Sequence, residues 1–307
     1  MQKKNLFLGL LILGTAFWGI AFPVTKMAMG NFSQTTFLFY RFLAATIVLA
    51  VIFFKYVRAA THAVIAHGAA LAIPLVFGIQ LQTLGIKHTS ASQCAFVAGM
   101  SVVIIPVMKM FFYKTTVLPR IWLAALIALA GLFVISIKEN FTINIGDVYT
   151  ITGAFGFAVY LIQVEKYARS KEILPVIVPM FATCTLVTGG LALIDPAANW
   201  FPQSNAFWLG TIFCALFSTA YMYTVSNLSQ KYISAERVAI IYLFEPVFAA
   251  IAAFLMLGEN LTWRLFIGGS LIIIATLIAE MKVGKPVSEK IESLSSSPGP
   301  DWPDEDL

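Results

Sequence analysis

Charge is what this sequence has least of. Lys, Arg, Asp and Glu make up 11% of the 307 residues, where a soluble domain carries about 25%. That is too little polar surface to coat a water-soluble globule. With 59% hydrophobic residues, the solvent for most of the chain is lipid. Histidine and cysteine are scarce as well. His62, His67 and His88 stand near expected loops and show no HExxH spacing, which removes a familiar zinc-hydrolase pattern. Cys94, Cys184 and Cys214 are odd in number, far apart and inside apolar stretches. They form neither a disulfide framework nor a metal spacing and read as small buried hydrophobes. No Walker A loop occurs, so this chain alone has no phosphate cradle for ATP-driven work. No cofactor, metal or enzymatic constellation is expected. The isoelectric point near 9.0 would suit nucleic acid, but the basic residues are scattered between apolar runs instead of forming one patch.

What is present is a series of apolar runs. A helix needs about 20 apolar residues to cross a bilayer. Ten candidate runs are found, near 6–26, 33–55, 66–86, 90–113, 119–138, 146–167, 173–195, 205–228, 235–257 and 263–282. The expected fold is therefore all-α: a polytopic membrane protein of ten transmembrane helices. Only IKHTS separates the third and fourth runs. From 283 to 307 the chain turns polar, Ser/Pro-rich and finally acidic, the composition of a disordered tail. Lys3-Lys4 before an apolar run resembles a signal peptide, but the run is long enough to span and others follow, so it is taken as the first membrane helix. Cationic residues in short loops orient such a bundle. A cytoplasmic N-terminus puts Lys3, Lys4, Lys55, Arg58, Lys114, Arg120, Lys166, Arg169, Lys171, Lys231, Arg237, Lys282, Lys285 and Lys290 on one side, against Lys26, Lys87, Lys138 and Arg264 on the other. Both termini are thus expected in the cytoplasm and the protein in the inner (plasma) membrane, with the lipid bilayer and a small-molecule substrate as partners, no nucleic acid, and a monomeric or homodimeric state. Trp200 and Trp263 are expected at the interfaces.

The halves repeat. Sliding the sequence by 144 residues lays Ser90-Ala91 on Ser234-Ala235, Arg120 on Arg264 and Ser101 on Glu245. Pro106 and Pro246 fall one helical turn apart. A shift near 139 lays Trp18 on Phe157. The expected organisation is a first repeat over 1–138 and a second over 146–282. Five helices per repeat is odd, so the second repeat enters the membrane inverted. Inverted repeats with a midplane site at their interface characterise secondary transporters. A passive channel or facilitator is the alternative; it would be expected to show charge rings or a symmetric filter.

Ionisable groups at bilayer depth are costly, which singles out three residues. Glu245 lies deep in the ninth run. It suits either a proton- or cation-sensing place in a cavity wall, with protons as a candidate coupling ion, or a fixed role as partner between two helices. Arg41, two turns into the second run, suits locking better than switching. Lys109, near the end of the fourth run, suits either snorkelling or a gate. Pro246 withholds a hydrogen bond from the Tyr242 carbonyl, so Pro246 and Pro106 are expected kinks, with the same option at Pro23, Pro74 and Pro179. Among uncharged side chains the cavity candidates are Trp18, Gln80, Tyr160, Gln163, Tyr221 and Tyr242, followed by Gln82, Tyr223 and Asn227. An aromatic pocket with few polar groups suits amino acids or planar organic molecules, or an organic cation.

AFWGIAFPVTK in the first run, YRFLAA in the second, EPVFAAIAAFLMLGE in the ninth and IGGSLIIIATLI in the tenth together resemble the drug/metabolite transporter superfamily in its EamA-type ten-helix branch. The resemblance spans nearly all of 5–282, and EP…LGE is its most specific part. The first half departs from it, carrying FYKTT where LGE would recur. The resemblance implies export or exchange of amino acids, nucleotide-type metabolites, sugars or organic cations through a central cavity between the two repeats. If the chain is such a secondary transporter, the first, third, fourth, sixth, eighth and ninth runs are expected to line that cavity.

Overall fold

The structure, a computed structural model, describes residues 2–89, 91–136, 144–257 and 263–281. The expected tail 283–307, Ser90, and Gly258 and Glu259 of the LGE motif lie outside the described residues. Among the described residues every element is a helix. In order these are α1 Gln2–Met29, α2 Gln34–Ile52, α3 Phe54–Arg58, α4 His62–His88, α5 Ala91–Gly99, α6 Ser101–Phe111, α7 Pro119–Ser136, α8 Ile145–Ser170 and α9 Leu174–Ile194. Then follow α10 Asn205–Phe213, a π segment Cys214–Tyr221, α11 Met222–Ser229, α12 Ala235–Tyr242, α13 Phe244–Leu257 and α14 Trp263–Glu280. Hydrocarbon offers a backbone no water to bond, so helices that satisfy themselves are the natural answer to this composition. Eight helical stretches among the described residues are long and apolar enough to cross a bilayer, and the protein is an all-α multi-pass membrane protein. The apolar part of α7 is shorter, Pro119–Val134, and α12–α13 is interrupted at Leu243.

Four expected spans are not uniform α-helices: the second breaks at Phe53, near its end between α2 and α3, and the other three interruptions are informative. The ninth breaks at Leu243. Pro246 has no N–H for the Tyr242 carbonyl, and it stands in the first turn of α13, where N–H groups lack intrahelical partners anyway. The fourth breaks at Met100, with Met100 N bonded to Val97 O at 3.1 Å. Pro106 sits six residues further on, inside α6, so it is not where that span divides. Packing decides the place: a Cβ on Gly99 would collide with Leu132 and Leu243. The eighth widens into the π segment between α10 and α11. Pro23, Pro74 and Pro179 lie inside continuous helices. IKHTS proves mostly helical, since α4 runs to His88 and is capped at Thr89.

The helices pack in corresponding pairs. α4 lies along α8, and α1 lies along α10, the π segment and α11. α2 packs on α9, and α7 on α14. α1 contacts α12 and α13, while α8 contacts α5 and α6. The α4–α8 approach is backbone to backbone: a Cβ on Gly153 would stand 2.8 Å from the Gly78 carbonyl oxygen, and one on Gly78 3.0 Å from that of Gly153. Small residues permit this because lipid supplies no hydrophobic drive between helices, leaving close van der Waals contact to hold them. We call the end of the bundle that carries the N-terminus proximal and the other end distal. At the distal end, Ser33 caps α2, accepting from Thr35 N at 3.1 Å. Asp195, at the end of α9, accepts from Ser33 Oγ, from Thr35 Oγ1 at 2.6 Å and from Ala197 N at 2.9 Å. Those donors, Ser33 first, hold the Asp195 carboxyl below the usual carboxylate range.

Two predictions follow from this packing. Gly153→Leu is expected to destabilise the protein by at least the 1–3 kcal/mol typical of overpacking, roughly its upper end, because backbone cannot yield as side chains do. Gly190→Leu, where nothing lies within 4 Å of the added Cβ, should be close to neutral; thermal midpoints in detergent compare the two. Asp195→Asn should lower the midpoint at neutral pH. A depressed folded-state value gives stability that is present above the ordinary carboxylate range and lost as pH falls through the folded value. The difference between wild type and Asp195→Asn should therefore close as the midpoint is followed downward past pH ~4, the ordinary aspartate range.

Candidate functional site

A cavity of about 90 Å³ lies in the distal half of the bundle. Its walls come from α1 (Trp18, Thr25), α2 (Arg41), α4 (Gln82, Thr83), the α5–α6 junction (Gly99, Ser101), α8 (Thr150, Phe157), the π segment (Ser218), α11 (Tyr223), and the α12–α13 junction (Tyr242, Glu245, Pro246). On α1 the lining runs from Trp18 up to Thr25, and on α4 from Gly78 to Ile86, so it reaches within about one turn of the distal helix ends. The two helix breaks both open onto it. Ser101 and Glu245, which the 144-residue offset lays on each other in the sequence, both line it.

The proximal floor is aromatic. Trp18, Phe157, Tyr223 and Tyr242 come from four different helices, and each is the lining residue of its helix nearest the proximal end. Ring centroids separate Trp18 from Tyr242 by 4.8 Å, from Tyr223 by 5.4 Å and from Phe157 by 6.0 Å. A buried Trp needs a partner for its N–H, and Trp18 Nε1 donates to the Ser218 carbonyl of the π segment at 2.7 Å. Beneath the floor, Tyr160 donates to Asn227 Oδ1 at 2.5 Å, and the Tyr242 hydroxyl bonds Ser226.

Two charges of opposite sign reach the cavity. Arg41 is 8% exposed. Its Nε donates to Thr219 Oγ1 at 2.7 Å and its Nη2 to Ser218 Oγ at 3.0 Å. Neither acceptor is charged. Glu245 is half-buried and, among the described residues, its carboxylate has no hydrogen-bond or ion-pair partner. Gly19 lets α1 close against it: a Cβ there would stand 2.8 Å from the Glu245 carbonyl oxygen.

A third charged cluster closes the proximal end. Lys109, at the end of α6, bonds Glu165 of α8 and lies 2.5 Å from Glu236 Oε2 at the start of α12. Glu165 also pairs with Arg169 at 2.6 Å and accepts from Ala235 N at 3.1 Å. Ser234, the N-cap of α12, makes no side-chain cap bond, so Glu165 of another helix supplies that acceptor. Lys109 is thus clamped between two carboxylates and does not reach out to solvent.

Of the residues singled out in the sequence, Trp18, Tyr242, Glu245, Arg41 and Pro246 line the cavity. Gln80 does not: two residues are about 200° of helix rotation, so Gln82 faces the cavity and Gln80 the far side. Tyr160 stands one turn below Phe157, against Asn227. Gln163 is half-buried and outside the lining. Tyr221 ties α1 instead, donating to the Leu10 carbonyl at 3.2 Å with its ring edge-on to Phe17. Pro106 and Lys109 lie proximal to the cavity. The sequence reading passed over Thr25, Thr150 and Ser218; short hydroxyl side chains inside apolar helices carry no pattern that separates a cavity wall from a helix interior.

Comparison with known proteins agrees with this architecture. The profile of the EamA-like transporter family matches residues 6–137 and again 144–281. An uncharacterised transporter of Archaeoglobus fulgidus is 25% identical over 281 residues, covering 91% of this chain and 88% of that protein. The uncharacterised transporter YyaM of Bacillus subtilis is 26% identical over 295 residues, 90% of this chain and 94% of its own. A protein crystal structure with 14% identity shares the fold, with a TM-score of 0.74 over 95% of this chain and 99% of that one. With both halves matched along nearly their whole length, the chain belongs to the EamA-like transporter family.

Proposed function

We propose that the protein is a secondary-active transporter that moves a small organic metabolite, such as an amino acid, by alternating access around the distal cavity. The observation that carries this reading is asymmetry of closure. The cavity reaches almost to the distal helix ends, whereas its proximal side is sealed by the aromatic floor, the Tyr160–Asn227 and Tyr242–Ser226 bonds, and the Lys109 cluster. A cavity that extends toward one side and is walled off from the other is what one state of such a cycle requires.

In this reading the chain is two inverted five-helix repeats, with α5–α6 counted as one crossing and α12–α13 as its counterpart. The paired packing supports it. Exchanging the halves turns the α4–α8 contact into the contact of α1 with the α10–α11 span. It turns the contact of α1 with α12–α13 into that of α8 with α5–α6. It returns α2–α9 and α7–α14 to themselves. Rocking the repeats would then expose the cavity to the other side. The excess of Lys and Arg at the proximal loops supports cytoplasmic termini in the plasma membrane, and with them a cavity facing outward while the cytoplasmic gate is shut.

Two experiments test the proposal. In proteoliposomes a carrier should give saturable uptake that is accelerated by the same solute on the opposite side. A passive facilitator would lack that trans-stimulation, and unitary conductance would replace the carrier reading outright. For the gate, Lys109→Met leaves Glu165 and Glu236 buried and facing each other. Removing one partner of a buried ion pair costs about 3–5 kcal/mol, so the closed proximal state should lose population. Gln230→Cys, at a fully buried proximal position, should then react with a water-soluble maleimide at least about tenfold faster, the factor that ~1.4 kcal/mol supplies. An unchanged labelling rate would remove Lys109 from the gate.

A further inference from the structure

We propose that the proximal corner of the bundle, where α3 meets the turn between α8 and α9, holds an anionic phospholipid. Its headgroup phosphate meets Lys55, Arg58 and Lys171, and its acyl chains run along the apolar surface beside α2 and α9. This surface lies outside the cavity, and its assignment does not depend on the transport reading.

Three observations carry the assignment. The first is a group of cations without counter-charge. Lys55, Arg58 and Lys171 are exposed. Among the described residues none of them has a carboxylate within ion-pair distance, although Lys4, Lys109, Arg169 and Arg237 each do. They belong to one place: α3 packs on α9, and Tyr56 donates to Glu172 Oε1 at 3.5 Å. Glu172, the neighbour of Lys171, is thus engaged by a hydroxyl. Lys55 and Arg58, three apart on α3, share a face. Lys171 is held by neutral groups. Its ammonium lies 5.6 Å from the Tyr167 ring centroid and 3.4 Å from His67 Nε2. His67 Nδ1 bonds the Ala63 carbonyl at 2.5 Å; a carbonyl only accepts, so Nδ1 carries the proton and Nε2 accepts from Lys171. Arg58 likewise stands 6.0 Å from the Phe54 ring centroid. Such neighbours position a cation and leave its charge for a partner. Phosphate suits the set, since Arg offers a fork of donors to its oxygens and Lys a point charge.

The second is the apolar surface beside those cations. Val51, Ile52 and Phe54 are 72%, 64% and 57% exposed. α2 and α4 each pack along α9 and scarcely touch one another. The outer face of α9 is bare, with Leu186 exposed and Gly190 open. Cations that adjoin apolar surface match a molecule with an anionic head and apolar tails, as basic sites at helix ends do for acidic lipids. The third is a contrast between the halves. The corresponding connection in the second half, 195–204 between α9 and α10, reads DPAANWFPQS and carries no cation. A turn from the second to the third helix of a half therefore forms without Lys or Arg, so the fold itself does not call for Lys55 and Arg58.

The test uses the full-length protein in neutral detergent, with phosphatidylglycerol and phosphatidylcholine of matched chain length as probes and native mass spectrometry as the readout. Wild type should bind phosphatidylglycerol at least about tenfold more tightly than phosphatidylcholine. The preference should vanish near 1 M salt, where the Debye length is about 3 Å. Combining Lys55→Gln, Arg58→Gln and Lys171→Gln should lower the phosphatidylglycerol affinity at least about tenfold, within what three cations contribute at an anionic surface, while the lipid-free thermal midpoint stays near wild type. Combining Lys3→Gln, Lys114→Gln and Lys231→Gln, three exposed proximal cations elsewhere, should leave the affinity unchanged. Equal affinity of wild type for the two lipids overturns the inference. An equal loss in both triple variants overturns it in favour of diffuse surface charge. Displacement of the lipid by soluble glycerol phosphate at comparable concentration overturns it in favour of a site for a free anion.

Discussion

The closed end of this protein depends on one ammonium group. Lys109 terminates α6, where a cation complements the partial negative charge of the helix end, and Glu236 begins α12, where an anion complements the positive one. Lys109 lies between Glu236 and Glu165 of α8, and Glu165 takes the first N–H of α12 as well. Two helix-end charges, two ion pairs and one hydrogen bond thus meet within one cluster, and they join α6, α8 and α12. These groups are nearly excluded from solvent, with side-chain exposures of 12%, 6% and 12% for Lys109, Glu165 and Glu236. They are stable only as a set. A buried pair gains little over apolar packing but loses much when broken. Such a cluster is therefore poorly suited to adding stability and well suited to defining two alternatives, assembled or apart.

The opposite logic governs the cavity. There the backbone is made irregular, and the irregularity is used. The π segment places Ser218 and Thr219 so that a carbonyl receives Trp18 while two hydroxyls receive Arg41. Ser218 Oγ in turn donates to the Cys214 carbonyl at 3.0 Å, so the hydroxyl is satisfied in both roles. The helix breaks at Met100 and Leu243 do the same for the other pair of walls, bringing Ser101 and Glu245 to face one space. Non-helical backbone is tolerated at membrane depth where it lines a cavity or is buried in protein. Here all three interruptions occur at the level of the cavity.

Much of this was legible in the sequence, and the reason is the solvent. Lipid forces long apolar helices, so the composition and run lengths disclosed the class of fold before any residue was weighed. The cost of burying charge made Glu245, Arg41 and Lys109 conspicuous; the first two line the cavity, and Lys109 lies proximal to it between two carboxylates. Helical phase was legible in less detail. Gln80 and Gln82 differ by two positions and hence by opposite faces, and a run that is apolar all round has no stripe to say which face turns inward. Tyr221 and Tyr223 present the same ambiguity, complicated by a π segment that ends at Tyr221. The Lys109 partners were hidden for a different reason: Glu165 and Glu236 lie near the ends of their runs, where charged residues are ordinary, and only the fold brings them together.

Two helix junctions, at Met100 and at Leu243, face a common space, and like chemistry at both would place either two carboxylates there or none. Two carboxylates would repel across a small cavity, and none would leave Arg41 as the sole charge in it. The chain carries Ser101 on one side and Glu245 on the other. Arg41 is held by Ser218 and Thr219, and among the described residues Glu245 stands in the same cavity without pairing to it. An ionised group at bilayer depth costs about 2.5–3.5 kcal/mol on insertion scales, so the difference between the two junctions is where this cavity wall departs from a plain apolar bundle.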